Sequence, residues 1–251
     1  MKTTLSHNRT VMRFSTGNVA PVQQQLVVFP HAGGSAAFYQ QWRERLPAEC
    51  DLLVVQYPGR EERQADLPWS GAQQAIAACN HGLRELLGVA PVIFFGHSMG
   101  ALLALQVATA LWDSRFACQR VVLSAQRVPS ELVMLQQPGA RERLLDTILT
   151  YSEQSGIMRL DELTRPRVAA LILQDLMLLG QLADLPVADI PLLIAGGEED
   201  PLVERSALEA WSTTVTESQL KRWPGGHFYF QDNLDAFLHQ LLPSCAAAQL
   251  N

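Results

Sequence analysis

Lysine is nearly missing from this sequence, because only Lys2 and Lys221 occur among 251 residues and arginine supplies the other positive charges. The net charge at neutral pH is −6. No basic stripe is present of the kind with which nucleic-acid-binding proteins neutralise phosphates. We therefore expect no nucleic-acid partner.

Long apolar runs are also lacking. No stretch approaches the roughly 18 apolar residues that a membrane-spanning helix needs. Residues 1–14 contain no apolar segment of the length found in signal peptides. The sequence therefore predicts a cytoplasmic protein with no membrane segment, and we expect it to be a monomer.

Cysteine is sparse and scattered. No Cys-x-x-Cys occurs, and no cysteine is paired with a nearby histidine in the manner of a thiol nucleophile. This pattern predicts reduced thiols, no metal site and no catalytic cysteine. The four cysteines are Cys50, Cys79, Cys118 and Cys245.

Short apolar runs alternate with longer helical patterns along most of the chain. Such alternation is typical of βαβ units in a mostly parallel, doubly wound sheet, and the chain is long enough for a single α/β domain over residues 1–251. We expect residues 1–20 and the tail after Pro243 to be poorly ordered. Strands are predicted near 25–29, 52–55, 92–95, 121–124, 192–195 and 219–223, and helices near 36–46, 70–87, 99–112, 203–213 and 232–242.

The alternation is interrupted once, between Ser124 and Pro191, where no strand pattern occurs. Two helical patterns lie there instead, at about 141–155 and 166–183, and the second is unusually apolar. We interpret the segment at about 128–188 as a helical lid over the carboxyl edge of the sheet. The alternative is an ordinary pair of crossover helices.

The sequence Gly96-His97-Ser98-Met99-Gly100 follows an apolar run and precedes a helical pattern. This is a Gly-x-Ser-x-Gly motif in the strand–turn–helix context of a nucleophile elbow. Glycines without Cβ atoms let strand and helix approach each other, and the helix N-terminus favours a developing anion. Ser98 is therefore the candidate nucleophile.

A serine nucleophile needs a base, and the base needs an orienting acid. Asp200 and His227 both follow predicted strands and occur in the chain order Ser, Asp, His. Glu198 and Glu199 compete with Asp200, which is favoured because it precedes Pro201 where the loop turns into a helix. The other five histidines fit less well as the base. Two lie in predicted helices, one lies in the N-terminal region, one is next to the serine, and one precedes the serine in the chain.

An oxyanion intermediate needs two backbone N–H donors. The residue after the nucleophile, Met99, is the first candidate. The second is Ala32, in the glycine-containing loop Pro30-His31-Ala32-Gly33-Gly34, with His31 as the alternative.

Five segments in the same order resemble the type II thioesterases of nonribosomal peptide and polyketide synthesis, within the α/β-hydrolase superfamily. The Tyr-Pro-Gly-Arg segment distinguishes this group from generic esterases. The lid matches less well, because Leu173-Gln174-Asp175 stands where the family usually has Arg-Ala-Asp. The matching segments are Phe29–Gly34, Gln56–Glu61, Gly96–Ala101, Gly196–Asp200 and Gly225–Phe228.

The resemblance implies an α/β-hydrolase fold and an editing thioesterase that uses Ser98, Asp200 and His227. Such enzymes hydrolyse aberrant or stalled acyl groups from the phosphopantetheine arm of acyl or peptidyl carrier protein domains. We expect no cofactor of the chain's own. The alternatives are a general carboxylesterase or acyl-CoA thioesterase, and a catalytically silent relative that binds a ligand or partner.

Overall fold

An eight-stranded sheet forms the centre of the computed structural model, which describes residues 4–7, 9–15, 21–112 and 118–242. The strand order is β1-β2-β4-β3-β5-β6-β7-β8, antiparallel at β1, β2 and β4 and parallel from β4 to β8. The predicted, mostly parallel sheet is therefore confirmed. Its strands are β1 (Thr4–His7), β2 (Val11–Ser15), β3 (Gln24–Phe29), β4 (Cys50–Val55), β5 (Val92–His97), β6 (Cys118–Ser124), β7 (Leu192–Gly197) and β8 (Ser218–Trp223).

Helices cover both faces of this sheet. Those predicted near 36–46 and 203–213 are shorter than expected, because each α-helix continues as a 3₁₀ turn. The α-helices are α1 (Ala36–Gln40), α2 (Ala72–Leu86), α3 (Met99–Leu111), α4 (Pro129–Leu132), α5 (Ala140–Gln154), α6 (Arg165–Ala183), α7 (Arg205–Glu209) and α8 (Leu234–Leu241).

The central strands are buried on both sides, and every residue of β3, β4 and β5 is buried. Successive side chains of a strand point to opposite faces. Val27 and Phe29 accordingly pack toward α2, α3 and α6, whereas Leu26 and Val28 pack toward α1 and α8. Continuous apolar strands of this kind are typical of a parallel sheet between two helical layers.

The expectation of a poorly ordered N-terminus is wrong for the part of it that the structure describes. β1 pairs with β2, and β2 pairs with β4. Val11, Met12 and Phe14 are buried. A five-residue strand carries little local signal, and its apolar side chains are covered only after β4 has formed. Residues 16–20 and the tail from Pro243 lie outside the described residues.

Between β6 and β7 lies the segment that was predicted as a lid, and it contains α4, α5 and α6. The sequence pattern indicated only the last two. Among the described residues, α6 alone is long and apolar enough to cross a membrane by length and composition. A buried core helix of a soluble protein can have the same length and composition. Ile172, Leu176 and Leu179 of α6 are buried in the core that includes α2 and α3.

The turn between β5 and α3 is compressed around Ser98. Its backbone lies at φ +54° and ψ −125°, outside the regions that non-glycine residues normally adopt. A Cβ atom on Gly96 would lie 2.3 Å from the Gly100 carbonyl oxygen, and one on Gly100 would lie 2.1 Å from the Phe29 carbonyl oxygen. Because neither glycine has a side chain, β5 can approach α3 at Gly96 and α3 can approach the end of β3 at Gly100.

We therefore expect Gly100→Ala to lower the free energy of unfolding by about 3 kcal/mol or more, because its Cβ would overlap backbone atoms that cannot rotate away. Gly180→Ala is the matched control, since a Cβ at this position of α6 has no neighbour within 4 Å. It should raise the free energy of unfolding by up to about 1 kcal/mol through helix propensity. Chemical denaturation measures both, and equal stability of the two variants would contradict the close approach.

Candidate active site

Ser98 lies between β5 and α3, half-buried at the carboxyl edge of the sheet. It stands at the N-terminus of α3, where the unpaired amides carry partial positive charge. Its side chain lines two adjoining cavities together with His227. The sequence-predicted serine and histidine are therefore brought to one site.

Asp200 and His227 are hydrogen-bonded to each other. The His227 Nδ1–H donates to Asp200 Oδ2 at 2.8 Å, and both side chains are buried. The other carboxylate oxygen, Oδ1, accepts from the amides of Leu202 at 2.8 Å and Val203 at 3.1 Å. The turn after β7 thus fixes the carboxylate. With the proton on Nδ1, the free lone pair of the imidazole is on Nε2.

The two competing acids are arranged differently. Glu198 and Glu199 are exposed, whereas Asp200 is 7% exposed. The Glu199 carboxylate accepts the backbone N–H of Gly225, next to the histidine loop. Glu199 therefore holds the loop, and only the Asp200 carboxylate reaches the imidazole among the described residues.

Two further buried histidines lie close to His227. The ring of His97 is 4.8 Å from that of His227, and its Nδ1 lies 2.9 Å from the Ser124 hydroxyl. The Ser124 hydroxyl also contacts the Tyr229 hydroxyl at 2.8 Å. Burial lowers the pKa of His97 well below its usual value, and burial lowers the pKa of His31 to about 3. Both therefore stay neutral at physiological pH.

The predicted oxyanion donors are both near Ser98, because Met99 follows it directly in the chain and Ala32 lines the same small cavity. Met99 is the first residue of α3, so its N–H has no acceptor within the helix. No hydrogen bond from the Ala32 N–H is seen within the described part of the chain. A cavity of about 20 Å³ is lined by Ala32, Ser98 and His227 among others. That is room for about one water-sized group.

The second cavity measures about 240 Å³ and is lined largely by the segment between β6 and β7. Its wall is mostly apolar, with Gln126, Arg127, Arg143 and Thr147 as its polar contributors from outside the candidate triad. Apolar residues of α5 and α6 and of the segment between β6 and α5 make up most of it. They include Leu132, Leu135, Leu144, Ile148, Leu176 and Leu179.

Tyr151 of α5 is a site residue that sequence reasoning missed. Its hydroxyl accepts the backbone N–H of His227 at 2.8 Å, and it lines the smaller cavity. Burial raises the pKa of Tyr151, so the hydroxyl remains protonated at neutral pH. Nothing local in the sequence distinguishes this tyrosine, because the contact joins residues 76 positions apart.

The described residues contain no group of three or more histidine, cysteine, aspartate or glutamate side chains that could hold a metal ion. The polar groups at the site are instead a hydroxyl, an imidazole, a carboxylate and backbone amides. This set can support nucleophilic acyl transfer.

The chain matches known thioesterases over most of its length. The sequence model described as the thioesterase domain matches residues 24–245. The gramicidin S biosynthesis protein GrsT of Aneurinibacillus migulanus is 29% identical, over 88% of this chain and 88% of GrsT. A probable cadicidin biosynthesis thioesterase of Streptomyces griseus is 30% identical, over 84% of this chain but only 60% of that protein. AMB antimetabolite synthetase AmbE of Pseudomonas aeruginosa is 30% identical, over 84% of this chain and 10% of AmbE.

Two solved structures share the fold. The type II thioesterase BorB from the borrelidin biosynthetic cluster superposes with a TM-score of 0.75 at 28% identity, covering 94% of this chain and 97% of BorB. RedJ, a thioesterase of the prodiginine pathway in Streptomyces coelicolor, gives a TM-score of 0.71 at 26% identity over 90% of each chain. Both confirm the predicted α/β-hydrolase fold. The chain belongs to the thioesterase-domain family, and its resemblance to type II thioesterases of nonribosomal peptide and polyketide pathways is confirmed.

Proposed function

We propose that this protein hydrolyses acyl thioesters through an acyl-serine intermediate, and that it removes aberrant or stalled acyl groups from the phosphopantetheine arm of carrier domains. The observation that carries the proposal is the buried His227–Asp200 hydrogen bond beside the cavities that Ser98 lines. The family and the relatives named for peptide-antibiotic biosynthesis support the thioester as the substrate.

In the acylation step, the Ser98 oxygen attacks the thioester carbonyl while His227 Nε2 takes the hydroxyl proton. Asp200 holds the imidazole tautomer and stabilises the imidazolium. The negative charge on the carbonyl oxygen is stabilised by the Ala32 and Met99 N–H groups. When the carbon–sulfur bond breaks, His227 returns the proton to the sulfur and a thiol leaves.

Deacylation repeats this chemistry with water. His227 takes a proton from the water, whose oxygen attacks the ester carbonyl of the acyl-serine. The serine oxygen leaves and recovers the proton from His227, and a carboxylic acid is released. No redox or metal step is needed, so the proposal calls for no cofactor of the chain's own. The apolar 240 Å³ cavity is the proposed site for the acyl group.

A general carboxylesterase or acyl-CoA thioesterase would use the same residues without a carrier protein. Parallel assays with acyl-carrier proteins and the matching acyl-CoAs distinguish the two proposals, because only carrier editing requires a preference for the carrier-bound group. A silent binding protein would show no covalent labelling by a fluorophosphonate, which reacts with activated serines.

Ser98→Ala should abolish fluorophosphonate labelling and lower turnover by roughly 10⁴- to 10⁶-fold, because no acyl-enzyme can form. Intact-protein mass spectrometry and thioester hydrolysis measure the two effects, and circular dichroism checks that the fold is kept. Turnover within about tenfold of the parent protein would rule out the acyl-serine mechanism.

Asp200→Asn should lower turnover by about 10⁴-fold, because an amide favours the wrong imidazole tautomer. Glu198→Gln is the matched control on the same loop. Its side chain is exposed, so turnover should stay within about threefold of the parent protein. Steady-state hydrolysis of a small acyl thioester compares the two. A larger loss in the control than in Asp200→Asn would assign the orienting acid elsewhere.

Charge on the lid bears on the proposed partner. Residues 127–167 contain six arginines and six acidic residues, so the −6 of the chain lies elsewhere. Carrier domains of the family's pathways are generally acidic, and most of this surface should repel them. Arg165 pairs with Glu153. Arg159 and Arg167 are exposed, and within the described ranges neither takes part in an ion pair.

We expect Arg159→Glu with Arg167→Glu to raise KM for an acyl-carrier protein by about three- to tenfold at low salt, because opposite charges speed the encounter. Hydrolysis of an acyl-pantetheine should be unchanged, and the carrier effect should shrink at high salt. Arg45→Glu, in an exposed pair with Asp235 on another helical layer, is the control. Equal losses on both substrates would remove these arginines from carrier docking.

A further inference from the structure

The segment Tyr57-Pro58-Gly59-Arg60 holds the candidate oxyanion loop at both ends. The Tyr57 hydroxyl donates to the Pro30 carbonyl at 2.8 Å. Arg60 Nη1 donates to the Gly34 carbonyl at 2.8 Å. The guanidinium also lies over the Tyr57 ring, 5.2 Å from its centre. The motif that distinguishes this sequence from generic esterases therefore contacts the loop that contains Ala32.

Arg60 also forms a buried ion pair with Asp175 of α6. Nη1 contacts Oδ2 and Nη2 contacts Oδ1, both at 2.9 Å, in the bidentate geometry that favours arginine over lysine. The two side chains are 6% and 7% exposed. Asp175 Oδ2 also accepts the backbone N–H of Gly33 at 2.7 Å. One carboxylate thus joins the lid helix, the arginine and the loop.

Two hydrogen bonds of the loop fix the two neighbouring peptide planes around Ala32, because each peptide group is planar. The His31 carbonyl accepts the Gly34 N–H at 2.9 Å, and this carbonyl shares its plane with the Ala32 N–H. The Gly33 N–H bound to Asp175 lies in the next plane, which begins at the Ala32 carbonyl. The direction of the Ala32 N–H is therefore held from both sides.

A contribution to folding stability does not by itself explain why the charged pair Arg60–Asp175 is buried here. Replacing a buried ion pair by apolar residues of similar volume is often neutral or stabilising. What apolar residues could not supply is a donor to the Gly34 carbonyl and an acceptor for the Gly33 N–H. The pair is thus suited to orient backbone groups as well as to fill space.

We propose that Arg60 and Asp175 are positioning residues for oxyanion stabilisation. They hold the Ala32 N–H where the carbonyl oxygen becomes negative, and they act through the loop without touching the substrate. This inference rests on the proposed function, because it takes Ala32 as an oxyanion donor. It also gives the Tyr-Pro-Gly-Arg segment a role in the chemical step.

The test is the double variant Arg60→Met with Asp175→Leu, which removes both charges and keeps apolar volume. Thioester hydrolysis and inhibition by an alkylboronic acid are measured, since boron adds to the serine oxygen to give a tetrahedral mimic of the intermediate. We expect kcat and boronate affinity to fall together by roughly 10²-fold, near the effect of losing one oxyanion donor. KM should change little, whereas the melting temperature should fall, because the Gly33 N–H and the Gly34 carbonyl lose their buried partners.

Two further variants keep the test decisive if the double variant folds poorly. Asp175→Asn keeps the shape and one acceptor oxygen, so kcat and boronate affinity should fall together by only about three- to tenfold. Arg13→Met with Asp51→Leu removes an ion pair between β2 and β4 that makes no contact with the loop, and both quantities should stay at parent values.

Unchanged boronate affinity in Asp175→Asn and in the double variant would overturn the inference, even if kcat fell. A change in KM alone, with kcat and boronate affinity unchanged in these variants, would also overturn the inference. Failure of the proposed acyl-serine mechanism gives a different result, because the parent protein would then neither hydrolyse the thioester nor bind the boronate.

Discussion

The close approach of β5 to α3 is the constraint on which the site depends. Gly96 lets β5 meet α3 with backbone atoms in contact, and Gly100 does the same for α3 and the end of β3. The turn between β5 and α3 leaves Ser98 at positive φ. The carboxyl ends of parallel strands lie at one edge of a sheet. The loops after β3, β7 and β8 therefore bring Ala32, Asp200 and His227 to the same edge as the serine.

The parts of this arrangement that depend on local sequence could be predicted. Apolar strands, the glycine-flanked serine and the acid and histidine after later strands are each recognisable within a few residues. The choice of Asp200 over its two neighbours rested on its place after the glycines and before Pro201, where the loop was expected to turn toward a helix. In the structure the Asp200 carboxylate is fixed by two amides of that turn.

The parts that depend on long-range contacts could not be predicted. Tyr151 reaches the histidine loop from a helix 76 positions earlier, and Asp175 lies 115 positions from Arg60. β2 was missed for the same reason, since besides its neighbour β1 it pairs with β4, which comes much later in the chain. One cue for Asp175 was available. It is the single charged residue in the otherwise uncharged stretch 168–183 of α6, and a lone charge in such a helix needs a buried partner.

α5 and α6 differ in how easily they can separate from the body of the protein. Moving α6 away would leave Arg60 and Asp175 unpaired, which costs about 3–5 kcal/mol when such a pair is buried. α5 is joined to the histidine loop through the Tyr151 hydroxyl, a neutral hydrogen bond of about 0.5–1.5 kcal/mol. Of the two helices that line the 240 Å³ cavity, α6 is therefore held more tightly, and we expect the cavity to open on the side of α5.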